Sequence, residues 1–267
     1  MYDAPSRLAL VSALLPIALR AGEVIMEVYN TPFAVETKGD NSPVTEADQK
    51  GEAVILEGLK TLTPDVTIVA EESVAAGRIP TVGDAPFWLV DPLDGTKEFV
   101  KRNGEFTVNI GLIVNRVPVL GIVHCPALGT TYLGADPGTA RMIEADGSDH
   151  PISCRVPPEE GITVLGSRSH GTGDAMDRFL ADYTVKERIA AGSSLKFCRL
   201  AEGIADLYPR LGPTCEWDTA AAHALLLSAG GSVTTLDGAP LTYAKRADFL
   251  NPHFIAQGLP AGSTVAA

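Results

Sequence analysis

W-L-V-D-P-L-D-G-T-K-E-F, running from Trp88 to Phe99, is the stretch on which the reading of this chain turns. It opens as a buried strand, and Pro92 removes one ladder N–H from it. Asp91 and Asp94 bracket that break, with Gly95 and Thr96 following where a helix can begin. A strand that stops at a helix N-terminus directs free backbone N–H groups outward and so favours an anion. Two aspartates beside that point would repel the anion unless cations lay between them. The stretch therefore predicts a Mg²⁺-dependent enzyme acting on a phosphate.

Moving towards the N-terminus, Thr67-Ile-Val-Ala70 reads as a short strand ending in Glu71 and Glu72. Paired glutamates are an ordinary solvated loop or, at a strand end, oxygen ligands for a hard cation. The residues from Ser73 to Phe87 suggest a mobile flap. Thr45-Glu-Ala-Asp48 is an N-cap followed three residues later by an acid, so a helix begins there and runs to about Leu62. Asp48 is either a capping acid or a further member of the acidic set. Residues 6 to 29 read as a helix with a broad apolar face. Its apolar run, Leu8 to Leu19, is shorter than a bilayer needs and carries Pro16. A core helix is expected, with peripheral membrane association as the alternative.

Towards the C-terminus, Phe106–Val114 and Val117–Cys125 form two strands around a turn at Asn115-Arg116, and Thr131–Leu133 adds a third. Residues 134 to 161 show few apolar runs and mark a boundary between halves. Beyond it come a strand at Thr163–Leu165, a helix over 173–183, a strand over 184–189 and a capped helix from Ser193 to Gly203. A strand follows at Ala205–Tyr208, stopped by Pro209. Asp218 heads an apolar helix from Thr219 to Ser228, where capping is its ordinary role.

Composition narrows the function. The chain has 267 residues, 45% hydrophobic and 20% charged, enough for a sizeable core. Its net charge of −12 argues against nucleic-acid or anionic-membrane partners, though bound divalent ions can invert a local field. Four scattered cysteines without C-x-x-C spacing read as reduced thiols of a cytoplasmic protein. Nucleotide-loop and dinucleotide motifs are absent, and so is an evident Ser–His or Cys–His pair. Attack by water fits better than a covalent intermediate.

Four ordered motifs carry a resemblance. D-N-S-P-V-T-E-A-D (40–48), A-E-E-S (70–73), W-L-V-D-P-L-D-G-T-K-E-F (88–99) and W-D-T-A-A (217–221) resemble the inositol monophosphatase superfamily of lithium-sensitive, magnesium-dependent phosphatases. Lys97-Glu98-Phe99, S-R-S-H (167–170), G-S-S-L-K-F-C (192–198), the run 205–218 and N-P-H-F (251–254) are similar to its 3′(2′),5′-bisphosphate nucleotidase branch.

The resemblance implies an α/β (α+β) fold, a layered αβαβα sandwich, usually as a homodimer. Residues 1–155 would form an α+β half with an antiparallel sheet and most metal ligands, and 156–267 an α/β half carrying substrate recognition and Asp218. It implies metal ligation by Glu71, Asp91, Asp94, Asp218 and the Leu93 carbonyl, two to three Mg²⁺ ions in all. Asp48 would touch a looser metal through water. Glu71 and Thr96 would orient the attacking water, and Gly95 and Thr96 N–H groups would hold the phosphate. Ser167, Arg168, His170 and Lys196 are candidates for nucleotide recognition, with Arg199 and Arg210 weaker ones. The implied activity is removal of the 3′-phosphate from adenosine 3′,5′-bisphosphate by a metal-activated water, in a cytoplasmic enzyme with a small nucleotide as its partner. The rivals are a sugar phosphatase of the inositol type and a catalytically silent nucleotide-binding regulator.

Overall fold

Strand β4 (Phe87–Asp94) is buried on both faces, and period-two alternation divides its side chains between two cores. Phe87 and Leu89 enter one core; Trp88 and Val90 enter the other. This computed structural model describes residues 3–39, 43–168 and 173–260.

In the described chain, α1 (Ala4–Tyr29) precedes a small hairpin of β1 (Glu36–Thr37) and β2 (Pro43–Val44). Helix α2 (Glu46–Leu62), β3 (Thr67–Ala70) and α3 (Glu71–Ala75) lead to β4 and α4 (Thr96–Val100). A meander follows: β5 (Thr107–Val114), β6 (Val117–Cys125), β7 (Thr130–Gly134), β8 (Arg141–Ile143) and β9 (Asp149–Pro151). The rest comprises β10 (Ile162–Ser167), α5 (Gly173–Phe179), β11 (Val185–Ala191), α6 (Leu195–Ala201) and β12 (Leu207–Arg210). It closes with α7 (Ala220–Ser228), β13 (Ser232–Thr235) and β14 (Phe254–Gln257).

The larger sheet runs β3-β4-β5-β6-β7-β8-β9, antiparallel except for the β3/β4 pair. The smaller runs β11-β10-β12-β14-β13, with β10 parallel to both its neighbours. Helices α1 and α2 cover one face of the larger sheet through Val11, Leu14, Ile25, Ile55 and Leu59. Helices α6 and α7 lie between the sheets, and their core joins Phe87 and Leu89 to Phe254 and Ala256. Met176 and Phe179 of α5 pack with Val164 and Leu207 on the smaller sheet. The expected αβαβα layering is the one observed. The core between the sheets draws residues from both sides of position 155.

The local departures have physical causes. Helix α1 has 26 residues and is apolar enough to cross a membrane by length and composition, longer than its apolar run suggested. Its apolar stripe instead packs on the sheet and α2. Pro92 does not end β4: a register shift between Asp91 and Asp94 absorbs it, and pairing to β5 resumes at Asp94↔Thr107. Pro209 does not stop β12 either. Pairing with β10 is confined to Val164↔Leu207, so a residue without an N–H is tolerated beyond that point. Residues 134–161 hold β8 and β9, which extend the first sheet where a boundary was expected. The flap read from Ser73 begins instead as the continuation of α3.

Helix α7 sits directly on the sheet because two strand residues lack side chains. A Cβ at Gly121 would lie 2.2 Å from the Ala221 carbonyl oxygen, and one at Gly111 would lie 2.7 Å from the Ala221 nitrogen. Gly121→Ala is expected to cost ~1–3 kcal/mol as α7 is pushed off the sheet. Chemical denaturation of the variant, showing an unchanged midpoint, would refute the close packing.

Candidate active site

Four segments bring carboxylates together, each for a local reason. Asp48 stands at the third position of α2 in a capping box: its Oδ2 accepts from the Thr45 N–H at 2.7 Å and the Thr45 hydroxyl at 2.9 Å. Its Oδ1 accepts from the Thr96 hydroxyl at 3.2 Å, so one residue both caps α2 and reaches the site. Glu71 and Glu72 open α3, which Glu52 anchors by accepting the Glu72 N–H at 2.7 Å and the Ser73 hydroxyl at 2.6 Å. Asp91 and Asp94 flank the bulge of β4, with Asp91 Oδ1 accepting the Leu93 N–H at 3.0 Å. Asp218 Oδ2 accepts the Cys215 N–H at 2.9 Å just ahead of α7.

These groups repel one another. Burial raises Asp91 well above the usual carboxylate range, and the charges of Glu71, Asp94 and Asp218 push it further. Asp218 is raised by burial and then by Asp94 and Glu71. Burial also raises Asp94 and Glu71, opposed chiefly by Lys196 and Lys38 respectively. Asp48 is pushed up to about 6, mainly by burial. Lys38 binds Glu71 Oε1 at 2.6 Å and also Glu72. Burial alone would lower Lys38, but the two glutamates outweigh it and hold it charged.

Among the described residues no three acid, histidine or cysteine side chains converge as they stand on a single metal position. Protein donors hold several of the carboxylates instead: Lys38 for Glu71, Leu93 N–H for Asp91, Ser194 for Asp94 and Cys215 N–H for Asp218. The donor set still suits a hard cation. It consists of oxygens only, and the mutual repulsion of these acids calls for positive charge.

Glu71, Asp94 and Asp218 line a cleft of about 800 Å³. Gly95 turns its rim at φ 95°, where a Cβ would meet the Glu105 carbonyl at 3.1 Å and Ser193 Cβ at 3.2 Å. Thr96 follows at the start of α4. The same cleft holds Ser167, Lys196, Tyr208, Arg210 and Trp217. Lys196 Nζ donates to the Ser193 carbonyl at 2.6 Å and lies 5.3 Å from the centre of the Tyr208 ring. Burial lowers it to about 8, with Asp94 opposing and Arg210 reinforcing. Arg210 donates one Nη2–H to the Pro213 carbonyl at 2.7 Å, while its Nε is buried without a partner.

Not every expected residue arrives there. Arg168 forms a two-bond ion pair with Glu105, both contacts 2.7 Å, and also donates to the Ala190 carbonyl; it is not in the cleft wall. Arg199 pairs with Glu202, which also accepts from the Tyr132 hydroxyl, and is likewise outside it. For both, an acid close in space but distant or unremarked in sequence captures the guanidinium. His170 lies outside the described residues. Conversely, Lys38, Ser193 and Ser194 line the cleft without having been singled out. Lys38 immediately precedes Gly39 and the 40–48 motif, and that adjacency is its signal in the sequence.

A five-layer sandwich whose cleft is walled by carboxylates on one β-bulge and two helix starts is the class of protein that fold and site define. A sequence model of the inositol monophosphatase family matches residues 9–260. The chain belongs to the inositol monophosphatase family. It is 45% identical over 247 residues to the 3′(2′),5′-bisphosphate nucleotidase CysQ of Salmonella typhimurium, covering 89% of this chain and 95% of that one. To the protein of the same name from Haemophilus influenzae it is 34% identical, covering 93% of each. The crystal structure of CysQ from Bacteroides thetaiotaomicron superposes with a TM-score of 0.76 at 34% identity, covering 93% of this chain and 96% of that one. An inositol monophosphatase from Anabaena gives 0.70 at 25% identity, covering 94% and 90%.

Proposed function

We propose that this chain is a Mg²⁺-dependent 3′(2′),5′-bisphosphate nucleotidase, a cytoplasmic phosphatase that converts adenosine 3′,5′-bisphosphate to AMP and phosphate. The observation carrying this reading is that one cleft contains both the acids Glu71, Asp94 and Asp218 and the cations Lys196 and Arg210. A monophosphate ester needs one anion seat, whereas a bisphosphate needs two. Arg210 has a buried N–H to spare, and Lys196 is a cation beside an aromatic ring that suits a base or ribose face. The relatives that carry the nucleotidase name span nearly the whole chain.

Glu71, Asp91, Asp94, Asp218 and the Leu93 carbonyl are the proposed holders of Mg²⁺. When bound there, Mg²⁺ supplies positive charge to the phosphate oxygens and acidifies a water. The chain's own groups do the rest. The first-turn N–H groups at Gly95 and Thr96 hold the phosphate that is to leave. The Thr96 hydroxyl donates a hydrogen bond to Asp48 Oδ1 at 3.2 Å and keeps its proton, which leaves its lone pairs to orient a water. Asp48, with a pKa of about 6, and Glu71 are then the proton acceptors within reach. Lys196 and Arg210 take the second phosphate, and Ser167 lies in the same wall.

Phosphate release from adenosine 3′,5′-bisphosphate and inositol 1-phosphate, compared side by side with Mg²⁺, tests this. The nucleotide should be preferred by at least tenfold in kcat/KM. Lys196→Met should cost the nucleotide reaction about 10–100-fold, the worth of one charge-assisted contact, mostly through KM. A tenfold preference for the inositol ester would transfer the chain to the sugar phosphatases. Absence of turnover on both esters would favour a binding protein.

A further inference from the structure

The turn Gly192-Ser193-Ser194 is bent in a way its sequence does not require. Ser193 has φ 43°, in the left-handed region that a serine enters only at a cost. Ser194 stands at the N-cap of α6, where a serine hydroxyl ordinarily accepts from the first-turn N–H groups. Here the side chain makes no capping bond. Its hydroxyl turns the other way and lies 2.8 Å from Asp94 Oδ2 and 2.7 Å from the Asp218 carbonyl oxygen. Its lone pair is taken by Asn109, whose Nδ2 donates to it at 2.9 Å. Asn109 Nδ2 also lies 3.4 Å from Asp94 Oδ2, and Asn109 and Ser194 are buried.

We infer that Ser194 and Asn109 are positioning residues that fix the rotamer of Asp94. The inference rests on reading Asp94 and Asp218 as metal ligands. Asp94 ends β4, Asn109 lies on the neighbouring β5, and Ser194 and Asp218 come from the segments ahead of α6 and α7. The hydroxyl thus sits between the two sets of proposed ligands, within hydrogen-bond distance of an acceptor from each. A hydroxyl has one proton, so it serves one acceptor at a time. With the proton on the Asp94 side, Oδ2 is held and Oδ1 remains to face a cation. Strain at Ser193 and the forgone cap at Ser194 are the structural cost of aiming that hydroxyl. A turn that only joined β11 to α6 would need neither. Lys196, on α6 just after the turn, donates to the Ser193 carbonyl at 2.6 Å, so a substrate anion bound by Lys196 bears on the turn that holds Asp94.

Outer partners of metal ligands typically govern affinity by tenfold or more. Mg²⁺ titration calorimetry on the full chain is therefore the test, with Ser194→Ala, Asn109→Ala, the double variant and Asp94→Asn. Ser194→Ala should raise the Mg²⁺ Kd about tenfold, and KM for the bisphosphate at saturating Mg²⁺ should move less than twofold. Its melting temperature in chelator should stay within about a degree of the parent. The double variant should lose little more affinity than either single one, because both act through one hydroxyl. Additive losses overturn the inference, as does a Ser194→Ala protein with unchanged Mg²⁺ affinity while Asp94→Asn has lost it. A chelated Ser194→Ala protein that melts several degrees lower with unaltered Mg²⁺ affinity makes the serine a fold residue, which also overturns it. If Asp94→Asn itself binds Mg²⁺ normally, the ligand reading fails first and the inference with it.

Discussion

Asp91→Asn should reduce turnover by at least a thousandfold while making the chelated protein more stable. Asp91 is fully enclosed and meets the charges of Glu71, Asp94 and Asp218. As a ligand it supplies anionic oxygen that an amide replaces poorly, and three decades of rate correspond to ~4 kcal/mol. As a folded-state charge it is a burden, since burial and its neighbours both disfavour its ionised form. The amide keeps the shape and an oxygen for the Leu93 N–H, and it removes the repulsion. A gain of at least ~1 kcal/mol in chelator is expected, the trade of stability against activity that strained sites show. Initial rates and thermal melting on one preparation test both halves. Full activity would dismiss the metal reading of the acids, and a less stable chelated variant would dismiss the account of their repulsion.

Stability of the chelated protein should fall as pH rises from about 5 to 8. Asp48 is raised to about 6 and Glu216 to about 7, while Glu71, Asp91, Asp94 and Asp218 are all raised by burial. Each carboxyl binds its proton more tightly folded than unfolded. Between the unfolded value near 4 and the folded value, the folded state holds more protons, so stability declines with rising pH. Above pH 5.5, Asp48 accounts for ~1 kcal/mol and Glu216 for ~2 kcal/mol at 1.36 kcal/mol per pH unit. The melting temperature should therefore drop by roughly 5–10 °C between pH 5.5 and 8. Mg²⁺ at a hundred times its Kd should restore ~2.7 kcal/mol at the alkaline end and flatten the profile. A residual slope should remain from Glu216, which accepts the Ala244 N–H at 2.9 Å away from the cluster. Melting curves in chelator that are level with pH, or that climb, would contradict the raised acids.

What could be read from the chain alone was local. Thr45 and Asp48 form the capping box their spacing requires, and Asn115-Arg116 make the tight turn with φ of 49° and 65°. The W-L-V-D-P-L-D-G-T run carried its own strand, bulge and helix start, because each depends on neighbours in sequence. Strands β8, β9 and β14 escaped notice because they are three or four residues long and owe their form to partners already in the sheet. Pro209 is tolerated in β12 because β10 pairs with that strand only at Leu207, a fact of topology and not of local sequence. Arg168 and Arg199 were drawn away by Glu105 and Glu202, whose proximity no spacing rule encodes for Arg168 and which is an ordinary helical pair for Arg199. Ser194 holds the N-cap position of α6 yet turns its hydroxyl towards Asp94 and the Asp218 carbonyl, neighbours that come from other segments.

The contact of α7 with Gly111 and Gly121 has a consequence for the distance between acids. Asp218 is carried just ahead of α7, and Asp91 lies opposite Asn109 on the strand that also carries Gly111. Because main chain of α7 rests on main chain of the sheet, no compressible side-chain layer separates the two carboxylate carriers. The glycines act as a gauge block: they set the span between Asp91 and Asp218 by hard backbone contact, which thermal motion of side chains cannot widen.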